Sequence, residues 1–186
     1  GMTSISVSPN MEQTNVIMGS TFRVLWGKEY ITDYIGSVKY QISPLSFYQV
    51  NPVQTEKLYS LALEYADLQG GESVWDLYCG IGTIGLIASR DAREVISVEL
   101  NPDAVRDAVT NAKRNQIKNV SFYQNDAGAF MVSMAEKGEK ADVVFMDPPR
   151  AGSDEAFLSS VVTLSPKKVV YVSCNPETLA RDLRYL

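Results

Sequence analysis

Two patterns of apolar and polar positions divide the chain near residue 50. Before it, β-branched and aromatic residues form short runs punctuated by turn signals. Phe22-Arg23-Val24-Leu25-Trp26, a Gly27-Lys28 turn and Tyr30-Ile31-Thr32-Asp33-Tyr34-Ile35 predict a hairpin, and residues 38–42 a further strand. After residue 50, helical and strand periods alternate. Asn51-Pro52 caps a helix whose apolar positions are Leu58, Leu61, Ala62, Tyr65 and Leu68, and Gly70-Gly71 ends it. Apolar runs at 74–78, 95–99, 120–123, 142–146 and 168–173 predict strands. Helices are predicted at 83–89, from Asn101-Pro102 to about Asn115, at 127–137, from about Asp154, and from Asn175-Pro176 onwards. Strands alternating with helices imply an α/β fold with a doubly wound, mostly parallel sheet. The division is therefore a β-rich extension over residues 1–50 and an α/β domain over 51–186.

Composition narrows the classes. The chain has 186 residues, 45% of them apolar and 21% charged, which is ordinary for a globular protein. No apolar run approaches the roughly 20 residues of a membrane span. The start lacks the basic and apolar regions of a signal peptide, and Gly1 ahead of Met2 reads as an added residue. The two cysteines, Cys79 and Cys174, match no zinc or iron–sulfur spacing, so neither a metal nor a cluster is expected and the reducing cytoplasm is the expected compartment. Histidine is absent, which leaves acid–base work to carboxylates, Cys, Lys or Tyr. A net charge of −5 argues against a self-sufficient nucleic-acid binder. The basic pairs Lys113-Arg114 and Lys167-Lys168 read as solvated faces. Arg150 and Arg181 are better phosphate candidates, with ion pairing to Asp154 or Asp182 as the plainer alternative. Trp26 and Trp75 read as core.

In a doubly wound sheet, ligands bind beyond the carboxyl ends of the strands. Those ends carry Tyr78, Cys79 and Gly80, then Glu99, Asp126, Asp147 and Cys174. Gly80-Ile81-Gly82-Thr83-Ile84-Gly85 lets backbone approach a ligand, and Glu99 stands where a carboxylate takes ribose hydroxyls. That pair alone fits a nicotinamide site as well as a nucleoside site. Asp76, inside an apolar strand, tilts the reading towards a ligand with a cationic portion. Asp147-Pro148-Pro149-Arg150 forms a rigid turn that either holds a carboxylate against a planar base or is an ordinary exposed turn. Cys174 precedes a helix start, whose positive end favours a thiolate; a nucleophile and a small packed hydrophobe are both open readings. Cys79, inside the glycine loop, reads as packed.

Together these segments, with Ser46-Phe47-Tyr48-Gln49-Val50-Asn51-Pro52 and the run from Ser173 to Asp182, resemble the RNA uracil-C5 methyltransferases that use S-adenosylmethionine. The resemblance covers almost the whole chain. It implies the class I methyltransferase fold (Rossmann-like), with S-adenosylmethionine as cofactor and S-adenosylhomocysteine as product. The implied substrate is a uridine in rRNA or tRNA. It makes Cys174 the nucleophile that adds to uracil C6, and puts Gln49, Tyr78, Gly80, Gly82, Thr83, Glu99, Asp126 and Asp147 around cofactor and target base. Glu99 would take the ribose and Asp126 the adenine end. The family's general base is a glutamate beyond the Ser-Cys-Asn-Pro segment, and its sheet has two more strands and an upstream RNA-binding barrel. The chain therefore reads as a catalytic-domain fragment without its base. The competing readings are a non-catalytic cofactor-binding module, an exocyclic-amine methyltransferase and a nicotinamide oxidoreductase.

Overall fold

A computed structural model describes residues 2–11, 19 and 21–186. Gly1, read above as an added residue, lies outside them. The strands are β1 (Ser4–Val7), β2 (Arg23–Gly27), β3 (Ile31–Ile35), β4 (Val38–Ile42), β5 (Ser73–Leu77), β6 (Glu94–Glu99), β7 (Val120–Gln124), β8 (Val143–Met146) and β9 (Lys168–Tyr171). The helices are α1 (Pro52–Ala66), α2 (Thr83–Ala88), α3 (Pro102–Arg114), α4 (Ala127–Glu136), α5 (Glu155–Leu164) and α6 (Pro176–Leu183). β5 to β9 form one parallel sheet in the order β7-β6-β5-β8-β9, so the chain winds outward from β5, then returns to β5's other side. That reversal between β5 and β8 is where such sheets open a crevice.

Strand alternation sorts the core into two layers. Along β8, Val143 and Phe145 face one layer while Val144 and Met146 face the other. The first layer packs α1, α2, α3 and the β3–β4 hairpin through residues such as Tyr59, Leu86, Ala104 and Tyr40. The second packs α4 and α5 through Phe130, Met131, Phe157 and Val161 around Trp75 and Leu77. β5 and β8 are buried along their whole length, as a strand covered on both faces must be. The three Asn-Pro helix starts behave as their sequence implies. Asn51 accepts from the N–H of Gln54, Asn101 from that of Asp103, and Asn175 from that of Glu177.

The first fifty residues differ from expectation in one pairing. β2 does not turn at Gly27-Lys28 to meet β3; it pairs antiparallel with β1, and β3 pairs with β4. The two-residue loop Gly36-Ser37, with Gly36 at φ +57, supplies the glycine-first turn that suits strand twist. Trp26 is consequently 54% exposed on a two-stranded sheet, whereas Trp75 is core as expected. The β3–β4 hairpin is tied to α3 by a polar ladder. Backbone N–H groups of Lys39, Gln41 and Ser43 donate to side chains of Asn115, Asn111 and Asp107, and the two asparagine amides donate back to the carbonyls of Lys39 and Gln41. Every second strand residue advances about 6.8 Å and every fourth helix residue about 6 Å, so the two periods match for this short run.

The apolar stripe of α1 also departs from expectation. Its buried positions are Thr55, Tyr59, Ala62 and Ala66, while Leu58, Leu61 and Tyr65 are exposed. Small residues let the helix lie close to the sheet, and the single large ring among them reaches toward the strand ends.

Candidate functional site

The glycine loop is built by backbone conformation. Tyr78 at φ +65, Gly80 at φ +55 and Gly82 at φ +82 turn the chain from β5 into α2 through left-handed conformations. Gly85 is required for a different reason. A Cβ there would stand 2.7 Å from Ser97 Oγ and 2.8 Å from Asp76 Oδ2. Asp76 itself is 1% exposed and accepts the Gly85 N–H at 2.8 Å. Its carboxylate therefore anchors α2 to the sheet and is not presented to a ligand, contrary to the reading above. The cause is the strand period, which points Asp76 away from Trp75 and Leu77 and under the first turns of α2. Burial pushes its carboxyl up to about 7 against the Gly85 hydrogen bond, with the Asp147 and Glu99 charges adding to the rise.

Glu99, half-buried at the end of β6, bridges two loops. Oε2 accepts from Gly80 N–H at 2.9 Å and Oε1 from Asn101 N–H at 2.8 Å. Each oxygen retains a lone pair for a further donor. Asp126, exposed beyond β7, caps α4 through Ala129 N–H. Tyr78 packs its ring on Phe157 at 5.7 Å.

On the other side of the loop, Gln49, Tyr59 and Thr83 meet. Tyr59 Oη lies 3.3 Å from Thr83 Oγ1 and hydrogen bonds with Gln49. Burial pushes the Tyr59 phenol up to about 12 against those bonds, with the Asp147 charge adding to the rise. Thr83 also offers its carbonyl to Tyr40 Oη at 2.9 Å, which ties the hairpin to the start of α2. Tyr59 escapes a search for large apolar residues at helical spacing; the Thr55, Tyr59, Ala62, Ala66 series is the signal that exposes it. Asp147 is half-buried, and burial raises its carboxyl to about 6. No donor among the described residues reaches that carboxylate.

The two cysteines separate cleanly. Cys79 is 4% exposed and its thiol is pushed well up by burial, with the Asp76 and Glu99 charges adding. Cys174 is exposed, directly ahead of the Asn175 cap of α6. Four of the basic residues singled out above have partners. Lys167 pairs with Asp142 at 2.9 Å, Lys168 with Asp67 at 3.1 Å, and Arg181 with Asp182 at 2.6 Å. Arg114 lies over the Tyr30 ring. No group of metal-binding residues is found among the described residues, and no helix is long and apolar enough to cross a membrane.

A glycine turn after the central strand, a carboxylate closing the next, and polar groups on one rim define a cofactor-binding α/β domain of the class I methyltransferase type. The model of the tRNA (uracil-5-)-methyltransferase family matches residues 13–186, and the chain belongs to that family. An uncharacterized RNA methyltransferase of Clostridium tetani is 50% identical over 186 residues, covering 100% of this chain and 40% of that protein. Another, from Halalkalibacterium halodurans, is 52% identical over 183 residues, covering 98% and 40%. The tRNA (uracil-54, C5)-methyltransferase of Pyrococcus abyssi, solved in complex with S-adenosyl-L-homocysteine, is 33% identical with a TM-score of 0.83. That match covers 100% of this chain and 44% of the Pyrococcus chain. A methyltransferase from Agrobacterium tumefaciens shares the fold at a TM-score of 0.70 and 18% identity, over 89% of this chain and 61% of its own. The chain thus spans about 40% of the length of the curated relatives it matches.

Proposed function

We propose that the chain is the cofactor- and base-handling part of an S-adenosylmethionine-dependent enzyme that methylates C5 of a uridine in RNA. The observation that carries this reading is the rim itself. Glu99, the Gln49–Tyr59–Thr83 cluster, Asp147 and an exposed Cys174 stand at the ends of adjacent parallel strands or beside the loop that follows β5.

The residues fit such a cofactor. Nothing lies within 4 Å of where a Cβ of Gly80 would stand, so the loop faces open space. Glu99 has lone pairs left for two hydroxyls, and Asp126 is exposed at the adenine end. When bound, the cofactor supplies an electrophilic sulfonium methyl. Cys174 provides what the pyrimidine lacks. Uracil C5 is a weak nucleophile, and bond formation between Cys174 Sγ and C6 moves the C5–C6 electron pair toward C5 and the C4 carbonyl. Asp147 adjoins this chemistry on a loop stiffened by Pro148 and Pro149. After methylation, the C5 proton leaves to a base, the C5–C6 double bond re-forms and the Sγ–C6 bond breaks. On this reading that base lies outside residues 1–186.

Calorimetric titration with S-adenosylhomocysteine, with NADH in parallel, tests the reading. Saturable binding of the first alone supports it. Binding of NADH alone returns the glycine loop to the oxidoreductases and overturns it.

A further inference from the structure

The segment from Ser173 to Asp182 carries more than Cys174. Its helix, α6, grips the loop that follows Asp147-Pro148-Pro149. Asn175 Nδ2 and Thr178 Oγ1 both donate to the Arg150 carbonyl at 3.2 Å. One turn further on, Arg181 donates to the carbonyls of Ala151 at 2.9 Å and Ser153 at 3.1 Å. Asp182, 0% exposed, accepts from the Ser153 N–H at 2.9 Å, from Tyr171 Oη at 2.7 Å and from Arg181 Nε at 2.8 Å. Gly152 completes the fit. It sits at φ +74, and a Cβ there would stand 2.5 Å from an Arg181 guanidinium nitrogen and 2.6 Å from Asp182 Oδ2.

A buried carboxylate is costly unless every lone pair is used, and here backbone, phenol and guanidinium use them. Such an arrangement makes the two loops one body. α6 begins at the residue after Asn175, so its far end fixes the loop that carries Asp147 while its near end carries the thiol. The bonds to Arg150 close the same loop from the near end. Neither Arg181 nor Asp182 approaches the rim as a reacting group.

We propose that Asp182 and Arg181 are a positioning pair that locks the 150–153 loop to α6, so that Asp147 and Cys174 keep a fixed relation to each other. The proposal rests on the reading of those two residues as site residues, but its test needs neither cofactor nor RNA.

Cys174 is exposed and Cys79 buried, so a nitroxide reagent labels Cys174 selectively on the unaltered chain. The experiment records the spectral line shape at Cys174 in Asp182→Asn, Arg181→Gln and Gly152→Ala. Hydrogen exchange of residues 150–153 is followed in parallel. Val161→Ala, in the core of α5, serves as a control destabilised away from the lock and is compared at equal distance below its melting temperature. The expected result is a mobile spectral component that grows at least twofold in the lock variants, with loop exchange at least tenfold faster and the control unchanged. Gly152→Ala is the telling variant, because it alters the loop and is read at the thiol. An unchanged line shape with faster loop exchange would show the loops to be independent and overturn the proposal. An equal change in Val161→Ala would reduce it to general destabilisation and overturn it as well. If Asp182→Asn does not fold, Arg181→Gln, whose side chain is 56% exposed, and Tyr171→Phe carry the test. Failure of cofactor binding would count against the proposed function alone, and these spectra would be unaffected.

Discussion

Cys79 and Cys174 have the same side chain at comparable places, each just beyond a parallel strand. Their difference is environmental: one is enclosed by the glycine loop and the other opens to solvent ahead of a helix start. Iodoacetamide is accordingly expected to modify Cys174 and spare Cys79 in the folded chain, as mass spectrometry of the peptides would show. Cys174→Ala is expected to leave S-adenosylhomocysteine affinity within error of the parent by calorimetry; a large loss would make Cys174 a packing residue. Glu99 behaves differently because both its oxygens are engaged by backbone donors. Glu99→Gln retains one acceptor oxygen, so the Gly80 or the Asn101 N–H loses its partner. Losing that internal bond is expected to lower the melting temperature, by the equivalent of about 1–3 kcal/mol; on the proposed reading the same change also removes an acceptor for a ribose hydroxyl, so S-adenosylhomocysteine affinity is expected to fall roughly 10- to 100-fold.

At the scale of elements, pairing is decided by which donors find acceptors. β4 would leave backbone N–H groups open on the side away from β3. α3 closes that side with side chains four residues apart. Asn111 is the central rung, with 0% exposure and bonds to both the N–H and the carbonyl of Gln41. Asn111→Leu keeps the branched outline of the side chain but leaves both the N–H and the carbonyl of Gln41 unpaired. A loss of about 2–4 kcal/mol in urea unfolding is expected, and Asn111→Asp should recover only the N–H half. Leu25 and Trp26 lie in β2, outside this ladder, where among the described residues no helix makes a substantial contact with the β1–β2 sheet. That is why an apolar run resembling a hairpin arm ends up exposed.

The molecule as a whole carries opposed titrations. Asp76 and Asp147 sit above their ordinary value because burial penalises the charged form. A raised carboxyl contributes stability that is full below the unfolded pKa near 4 and is lost as pH rises through the folded values near 6 and 7. Asp182 runs the other way. Burial raises its carboxyl, but hydrogen bonds from Ser153, Tyr171 and Arg181 outweigh that and hold it below its ordinary value. Its contribution is present above the unfolded pKa and disappears as pH falls through the lower folded value. Stability is therefore expected to peak near pH 4, to decline between about pH 4 and 7, and to level off above that; a carboxyl moved from near 4 to about 7 accounts for an amount on the order of 4 kcal/mol, read as a falling melting temperature. Asp76→Asn should flatten most of that decline between pH 4 and 7; an unaltered decline in that variant would remove Asp76 as its source.

The parallel sheet, the Asn-Pro helix starts and the five polar strand ends were legible in the chain because each rests on local chemistry. Side-chain period, cap preference and the freedom of glycine act over a few residues and leave a mark at fixed spacing. The same legibility extended to the family, through motifs that lie in order along the sequence. Which strand β2 pairs with, which face of α1 is buried, and where Asp76 points were not legible. Those depend on what occupies the other side of each element: β1 beside β2, the sheet beneath α1, and Gly85 packed over Asp76. Tyr59 and the Arg181–Asp182 lock belong to that second kind. Their partners are tens of residues away, and only the closing of the fold brings the oxygen of Thr83 to a phenol, or the loop after Asp147 to the far end of the helix that starts beside Cys174.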